Sequence, residues 1–251
     1  MKQHQLVDQQ FGQAAKAYLS STTHAQGQDL EALAALARTL PRAEVLDLGC
    51  GGGHVSFAMA PHVGRLTAFD LSEDMLAVVK AEALARGLDK LHARSGRAEQ
   101  LPFGDQNFDL VATRFSAHHW ADVPAALAEV RRVLRPSGQL VVIDVIAPEQ
   151  PLFDTVLQSA ELLRDASHVR DYRISEWLHM LATAGFDTSV RRQWRLPMAF
   201  DTWFARIRTP QLRADAVRDL FERAPEEARQ YFAVQSGLSF EIDVAWFDAT
   251  A

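Results

Sequence analysis

The chain has 251 residues, 48% of them hydrophobic, and a formal net charge of −6. That length suits one large α/β domain, or a core with a small insertion, and the hydrophobic share is ordinary for a globular protein with a sizeable core. The negative balance argues against broad nucleic-acid binding, which needs a basic face to neutralise phosphates. A single cysteine, Cys50, excludes an internal disulfide framework and points to a reducing compartment. No apolar run approaches the roughly 20 residues that span a bilayer, and the polar start Met1-Lys2-Gln3-His4-Gln5 has no signal-peptide core. The expectation is a soluble cytoplasmic protein without a membrane span.

In chain order, residues 1–28 are polar and precede the first periodic segment, where Leu30, Leu33, Leu36, Ala37 and Leu40 mark a helix closed by Pro41. Val45–Leu48 reads as the first strand, Val55–Ala60 as a helix, and Leu66–Phe69 as a second strand closed by Asp70. Ser72 is a good N-cap, with Glu73 and Asp74 at the positive end of the helix dipole and Gly87 as the stop. Met75, Leu76 and Val79 mark that helix's buried face. Leu91–Ser95 and Phe108–Thr113 follow as strands, then a helix opened by Asp122 and Pro124. Pro136-Ser137-Gly138 turns the chain into Leu140–Ile146, whose nearly all-apolar run suits a central parallel strand. Strand–helix alternation of this kind predicts a doubly wound, mostly parallel sheet with helices on both faces.

The last hundred residues are less regular. Ser175–Ala184 reads as a capped helix stopped by Gly185, and Thr188–Leu196 as a strand. Residues 200–233 look mostly helical, with Trp203, Phe204, Ile207, Leu212, Val217, Leu220 and Phe221 as anchors, before a final strand Phe240–Phe247. No repeat or flexible linker intervenes. The organisation expected is one domain over 1–251: a helical cap over 1–40, a core over 41–150, and a C-terminal half over 151–251 with a helical insertion at about 200–233.

The most informative stretch is Val45-Leu46-Asp47-Leu48-Gly49-Cys50-Gly51-Gly52-Gly53, a strand running into a glycine-rich turn. Glycines let the backbone turn sharply and let a ligand approach the main chain. A dinucleotide fingerprint wants G-x-G-x-x-G. Gly49 and Gly51 fit it, but His54 stands at the third position. The Asp47-x-Gly49-x-Gly51-x-Gly53 spacing instead resembles the first motif of the class I S-adenosylmethionine-dependent methyltransferases. Gly96-Arg97-Ala98-Glu99-Gln100-Leu101-Pro102-Phe103, Asn107-Phe108-Asp109-Leu110-Val111 and Leu134-Arg135-Pro136-Ser137-Gly138-Gln139-Leu140 are similar to later motifs of one small-molecule group. That group is related to the ubiquinone/menaquinone C-methyltransferases. Ser137 replaces one glycine of its usual pattern. The N-terminal Phe11-x-x-x-Ala15-x-x-Tyr18 and Arg114-Phe115-Ser116-Ala117-His118-His119-Trp120 further resemble a bacterial subgroup.

The resemblance implies a seven-stranded sheet and S-adenosylmethionine as cofactor. It implies that Asp47, Gly49 and Gly51 hold the amino-acid end and that Asp70 binds the ribose. Leu71 and Met75 supply an apolar wall for the adenine, with the Ala98 main chain and Glu99 beside it. Arg114 is placed to meet the cofactor carboxylate. Arg97 stands where relatives often carry Asp, so an acceptor for the adenine amino group is lost or shifts to Glu99.

A small-molecule acceptor held in line needs chiefly positioning, which can supply on the order of 7–11 kcal/mol. A general base helps if the acceptor is a hydroxyl or an acidic carbon, and His118 and His119 follow the fourth strand where an acceptor would sit. Tyr18 and His24 are further candidates, from an N-terminal lid. No H-x-x-H or H-E-x-x-H spacing suggests a metal site. The arginines 191, 192, 195, 206, 208 and 213 read as a solvated face neutralised by Glu222, Glu226 and Glu227 rather than as an anion site. Two alternatives stay open: a non-catalytic S-adenosylmethionine-binding protein and, less favoured, a nicotinamide-dependent oxidoreductase.

Overall fold

The computed structural model describes residues 1–12 and 27–251. The sheet begins where the sequence places it. β1 (Glu44–Leu48), β2 (Arg65–Asp70), β3 (Leu91–Ser95), β4 (Phe108–Arg114) and β5 (Leu134–Ala147) lie parallel in the order β3-β2-β1-β4-β5. The last strand, β8 (Ser239–Thr250), pairs antiparallel with β5, and β7 (Asp187–Ala199) pairs antiparallel with β8. A two-residue strand, β6 (Tyr172–Arg173), adds to β5 off this path. The doubly wound, mostly parallel expectation holds, with that short eighth strand added to seven.

Helices α1 (Gln3–Gly12), α2 (Gln28–Arg38), α3 (His54–Met59) and α4 (Glu73–Ala85) precede β3, and α5 (Val123–Val133) joins β4 to β5. One face of the sheet is covered by α2, α3 and α4 through residues such as Leu33, Phe57 and Val79. The other is covered by α5 and by α7 (Ile174–Thr183), through Leu127, Val130, Trp177 and Leu181. Local signals behave as their chemistry requires. Ser72 Oγ accepts from the Met75 N–H, Asp122 Oδ1 accepts from the Ala125 N–H, and Met75, Leu76 and Val79 are buried. Ser175 is not the cap of α7: its amide and hydroxyl donate to Glu149, while Glu176 reaches back to the Arg173 N–H at 2.8 Å.

A third cluster sits beyond β5, where α6 (Pro151–Arg164) packs against α8 (Phe200–Ile207), α9 (Gln211–Arg223) and α10 (Glu226–Tyr231) around Trp203, Phe221 and Phe240. The helix α6 has no counterpart in the sequence reading. Its buried face carries Asp154, Glu161 and Arg164 among Phe153, Val156, Leu157 and Ala160, which breaks the apolar period. Leu212, expected as an anchor, is 83% exposed, whereas Trp203, Phe204, Ile207, Val217 and Phe221 are buried. Two arginines of the arginine-rich stretch are paired from β8 rather than by Glu222, Glu226 and Glu227. Arg191 pairs with Asp248, and Arg195 with Glu241 and Asp243. Among the described residues, no helix is long and apolar enough to cross a membrane.

At the start of β5, Ser137 has φ +63° in the left-handed region, where a Cβ crowds its own backbone. Substituting Ser137→Gly is expected to stabilise the fold by roughly 0.5–1 kcal/mol, the steric relief exceeding glycine's entropic cost. A thermal melt of the variant checks this, and a lower melting temperature than wild type would contradict it.

Candidate active site

The order β3-β2-β1-β4-β5 reverses direction between β1 and β4, and a crevice opens at the carboxyl ends of the strands there. The turn after β1 enters this crevice. Gly49 and Gly51 have φ +74° and +48°, and Gly53, also left-handed, caps α3. At Gly49 a Cβ would stand 1.8 Å from Ser116 Oγ, so that position is closed to side chains. At Gly51 nothing lies within 4 Å of where a Cβ would be, which leaves the backbone open to the cleft.

Asp70, ending β2, faces the same turn. Its Oδ2 accepts from the Gly51 N–H at 2.8 Å and its Oδ1 from the Ser72 N–H at 3.0 Å. Burial pushes this carboxyl up, and the backbone donors of Ser72, Gly51 and Leu71 work against that shift. Each carboxylate oxygen has further lone-pair capacity for a ligand's hydroxyls. The cleft encloses about 860 Å³ of empty space, open solvent included. Phe69, Leu71 and Met75 supply apolar lining, and Ala98, Glu99 and Trp120 also line the cleft. Helix α1 closes the mouth with Gln3, His4, Val7 and Phe11. It is tied down by Gln3 Nε2 donating to the Ser167 carbonyl at 2.6 Å and Gln10 Nε2 to the Ile207 carbonyl at 2.8 Å.

Seven of the residues chosen from sequence for the cofactor line this one cleft: Gly49, Gly51, Asp70, Leu71, Met75, Ala98 and Glu99. Two do not. Asp47 is buried behind the turn, accepting from Ser56 Oγ at 2.6 Å. Arg114 is directed to Asp29 at 2.6 Å, in a buried pair. Glu99 is also partly engaged: its Oε1 accepts from the Ala121 N–H at 2.9 Å, and its Oε2 lies 3.5 Å from Arg97 Nε. Tyr18 and His24 lie outside the described residues.

The two adjacent histidines part company. His119 lines the cofactor cleft, its ring 4.8 Å from that of Phe11. Burial and the charge on His118 lower its pKa, so it is neutral at pH 7. His118 turns the other way, into a second cleft, and its Nδ1 is 2.6 Å from Asp144 Oδ1. Burial opposes a charge there, but Asp144, with Asp171 and Glu161 beyond it, pushes the imidazole up to about 9. Asp144 is itself fixed by the Ala117 and Val145 N–H groups, both at 2.9 Å. Sequence reasoning passed over Asp144, although an acid inside the apolar run Leu140–Ile146 was a legible signal. It also passed over His168 and Asp171, which are buried nearby. Among the described residues, no group of three or more His, Cys, Asp or Glu could hold a metal ion.

Comparison with known proteins agrees with this geometry. Residues 46–142 match the family described as methyltransferase domain. The protein YafE of Escherichia coli is 45% identical over 80% of this chain and 97% of its own length. YcgJ of Bacillus subtilis, named a methyltransferase, is 34% identical over 89% of this chain and 88% of its own. Its crystal structure superposes with a TM-score of 0.85 over 89% of this chain and 97% of that one, at 32% identity. A demethylmenaquinone methyltransferase of Lactiplantibacillus plantarum is 37% identical, over 46% of this chain and 51% of its own length. A glycine turn facing a buried acid, in a sheet of this order and with these relatives, shows that the chain belongs to the S-adenosylmethionine-dependent methyltransferase family.

Proposed function

We propose that the protein moves a methyl group from S-adenosylmethionine to a small-molecule acceptor, in the cytoplasm and without nucleic acid as substrate. The observation that carries this is the cleft itself: one enclosed space brings together the open backbone at Gly51, the Asp70 carboxylate and an apolar slot. When bound, S-adenosylmethionine supplies a methyl group already activated by its sulfonium. The chain's own work is therefore to bind, orient and exclude water.

In this reading Asp70 accepts from both ribose hydroxyls, using the lone pairs that Gly51 and Ser72 leave, in charge-assisted bonds. Leu71, Met75 and Phe69 flank the adenine, with the Ala98 main chain at its edge. Glu99, braced by the Ala121 N–H, closes that end of the slot. Gly49 and Gly51 present backbone to the amino-acid end. Asp47 acts from behind the turn as a buried counter-charge to a cationic ligand rather than as a direct contact. Arg114 is given no contact with the cofactor carboxylate, because its guanidinium is directed to Asp29. Helix α1 serves as the cap that keeps water from the methyl group, and His119, neutral, is a polar group in the lining of this cleft.

Turnover is tested by incubating the protein with methyl-labelled S-adenosylmethionine and a panel of small hydroxyl, amine and acidic-carbon compounds. Label appearing in a small product, with S-adenosylhomocysteine released in equal amount, is the expected result. Tight cofactor binding with no transfer to any acceptor would instead indicate a non-catalytic binding protein.

Asp47 yields a pH prediction. Burial raises its pKa to about 7, against the Ser56 hydrogen bonds, which lower it. Between roughly pH 4 and 7 the folded protein holds a proton here that the unfolded chain has lost, so this group's contribution to stability falls as pH rises through that window. Asp47→Asn is expected to raise stability at about pH 8 by on the order of 1–3 kcal/mol, with the gain gone below about pH 4. The same variant should bind S-adenosylmethionine more weakly. Denaturant melts at the two pH values check the first part, and a loss of stability at the higher pH would contradict it.

A further inference from the structure

A second cleft, of about 490 Å³ including open solvent, lies between the sheet and the C-terminal helices. Phe115 lines both clefts, so the two spaces adjoin at this residue. Its backbone is unusual for an aromatic residue: φ is +52°, in the left-handed region, with its N–H held by the Ile143 carbonyl at 2.8 Å. A bulky side chain in that conformation persists only where the surrounding structure requires it.

The second cleft has an apolar body and one polar end. Leu196, Met198 and Ile242 come from β7 and β8, and Trp203 from α8. At the polar end are His118, Glu161, Arg164 and Arg206. Glu161 is bound to Arg164, with Oε2 and Nη1 3.2 Å apart, and the Arg164 guanidinium lies over the Trp203 ring. His118 uses Nδ1 on Asp144, which leaves Nε2 as the nitrogen able to meet a ligand. Among the described residues, no hydrogen bond to that nitrogen is present. Asp144 and Glu161 are each bonded to a cationic neighbour, His118 and Arg164 respectively. Asp171, whose carboxyl burial pushes up, and His168, whose imidazole burial lowers, are buried close by.

We propose that this second cleft holds the methyl acceptor, that the acceptor carries an acidic oxygen on an apolar body, and that His118 binds that oxygen as its anion. The proposal rests on the methyltransferase reading above and names its substrate class. On binding, the acceptor's proton goes to solvent while the imidazolium keeps its own, so the Nε2–H donates to the oxyanion and Asp144 balances the imidazolium. His118 is then an anion-holding group rather than a base that must first lose a proton. Phenols, enols and carboxylic acids share this chemistry.

The test uses para-nitrophenol, whose ionised form is yellow, titrated into the full-length protein with S-adenosylhomocysteine present, at about pH 6. The bound probe is expected to be about tenfold more ionised than free probe, a shift of one pKa unit. Para-nitroanisole, which has no acidic oxygen, should not compete. A cyclic β-diketone and phenylacetate, used as competitors, rank enol and carboxylate against phenol. In His118→Gln the yellow band should disappear and affinity fall about tenfold or more. Leu196→Trp, which fills the cleft from β7 without touching the dyad, should abolish binding. Absence of probe binding, a bound probe that stays neutral, a band that survives His118→Gln, or binding unaffected by Leu196→Trp would each overturn the proposal. Calorimetry of S-adenosylhomocysteine in the same samples reports the first cleft separately. Failure there counts against the methyltransferase reading, whereas intact cofactor binding without phenolate capture counts against the acceptor site alone.

Discussion

The contact on which the site depends is the hydrogen bond from the Gly51 N–H to Asp70 Oδ2, 2.8 Å long. It joins the turn after β1 to the acid at the end of β2, across two strands that are parallel neighbours. Gly49 donates to the Phe69 carbonyl at 2.8 Å and reinforces the same junction. The turn can take this path only because Gly49 and Gly51 adopt left-handed backbone angles, and because Gly49 carries no side chain where Ser116 stands. With the junction fixed, the Asp70 oxygens, the open backbone and the apolar lining keep one geometry. A rigid site of this kind loses little entropy when the ligand arrives.

Around that junction the protein tolerates buried charge that stability alone would not select. Asp47 sits behind the turn with its carboxyl pushed up by burial. Arg114 and Asp29 form a buried pair at 2.6 Å, and His118 and Asp144 form another. Glu161 and Arg164 add a third at the floor of the second cleft. Removing one partner of such a pair is strongly destabilising, yet replacing both with apolar residues often is not. Of these groups His118, Glu161 and Arg164 line the second cleft, whereas Asp47 and the Arg114–Asp29 pair line neither. The strained Phe115 lines both clefts.

The parallel half of the sheet was legible in the sequence because its signals are local: apolar runs at Val45–Leu48 and Leu140–Ile146, caps at Ser72 and Asp122, and glycines at the turns. That Gly49, Gly51 and Asp70 meet in one cleft was legible for the same reason, since they lie within a single strand–helix–strand unit. What failed was anything set by distant packing. Helix α6 hides its period because Asp154, Glu161 and Arg164 are buried: Asp154 pairs with Arg173, Glu161 with Arg164 in the same helix, and Arg164 also donates to the Trp203 carbonyl. Arg114, read from the sequence as placed to meet the cofactor carboxylate, is instead directed to Asp29, which α2 brings against it. Likewise, nothing in the pair His118-His119 says that one faces each cleft; that follows from the 3-10 turn over Ala117–His119 and from Asp144 two strands' length away.

The central claim is that the cleft between the glycine turn and Asp70 takes S-adenosylmethionine. Calorimetric titration of S-adenosylmethionine, S-adenosylhomocysteine and NAD into the protein and into its Asp70→Ala variant tests it most directly. Micromolar binding of the two S-adenosyl compounds, lost in Asp70→Ala and absent for NAD, is the result expected of about two charge-assisted ribose bonds. Binding of NAD without S-adenosylmethionine, or S-adenosylmethionine affinity untouched by the substitution, would contradict it.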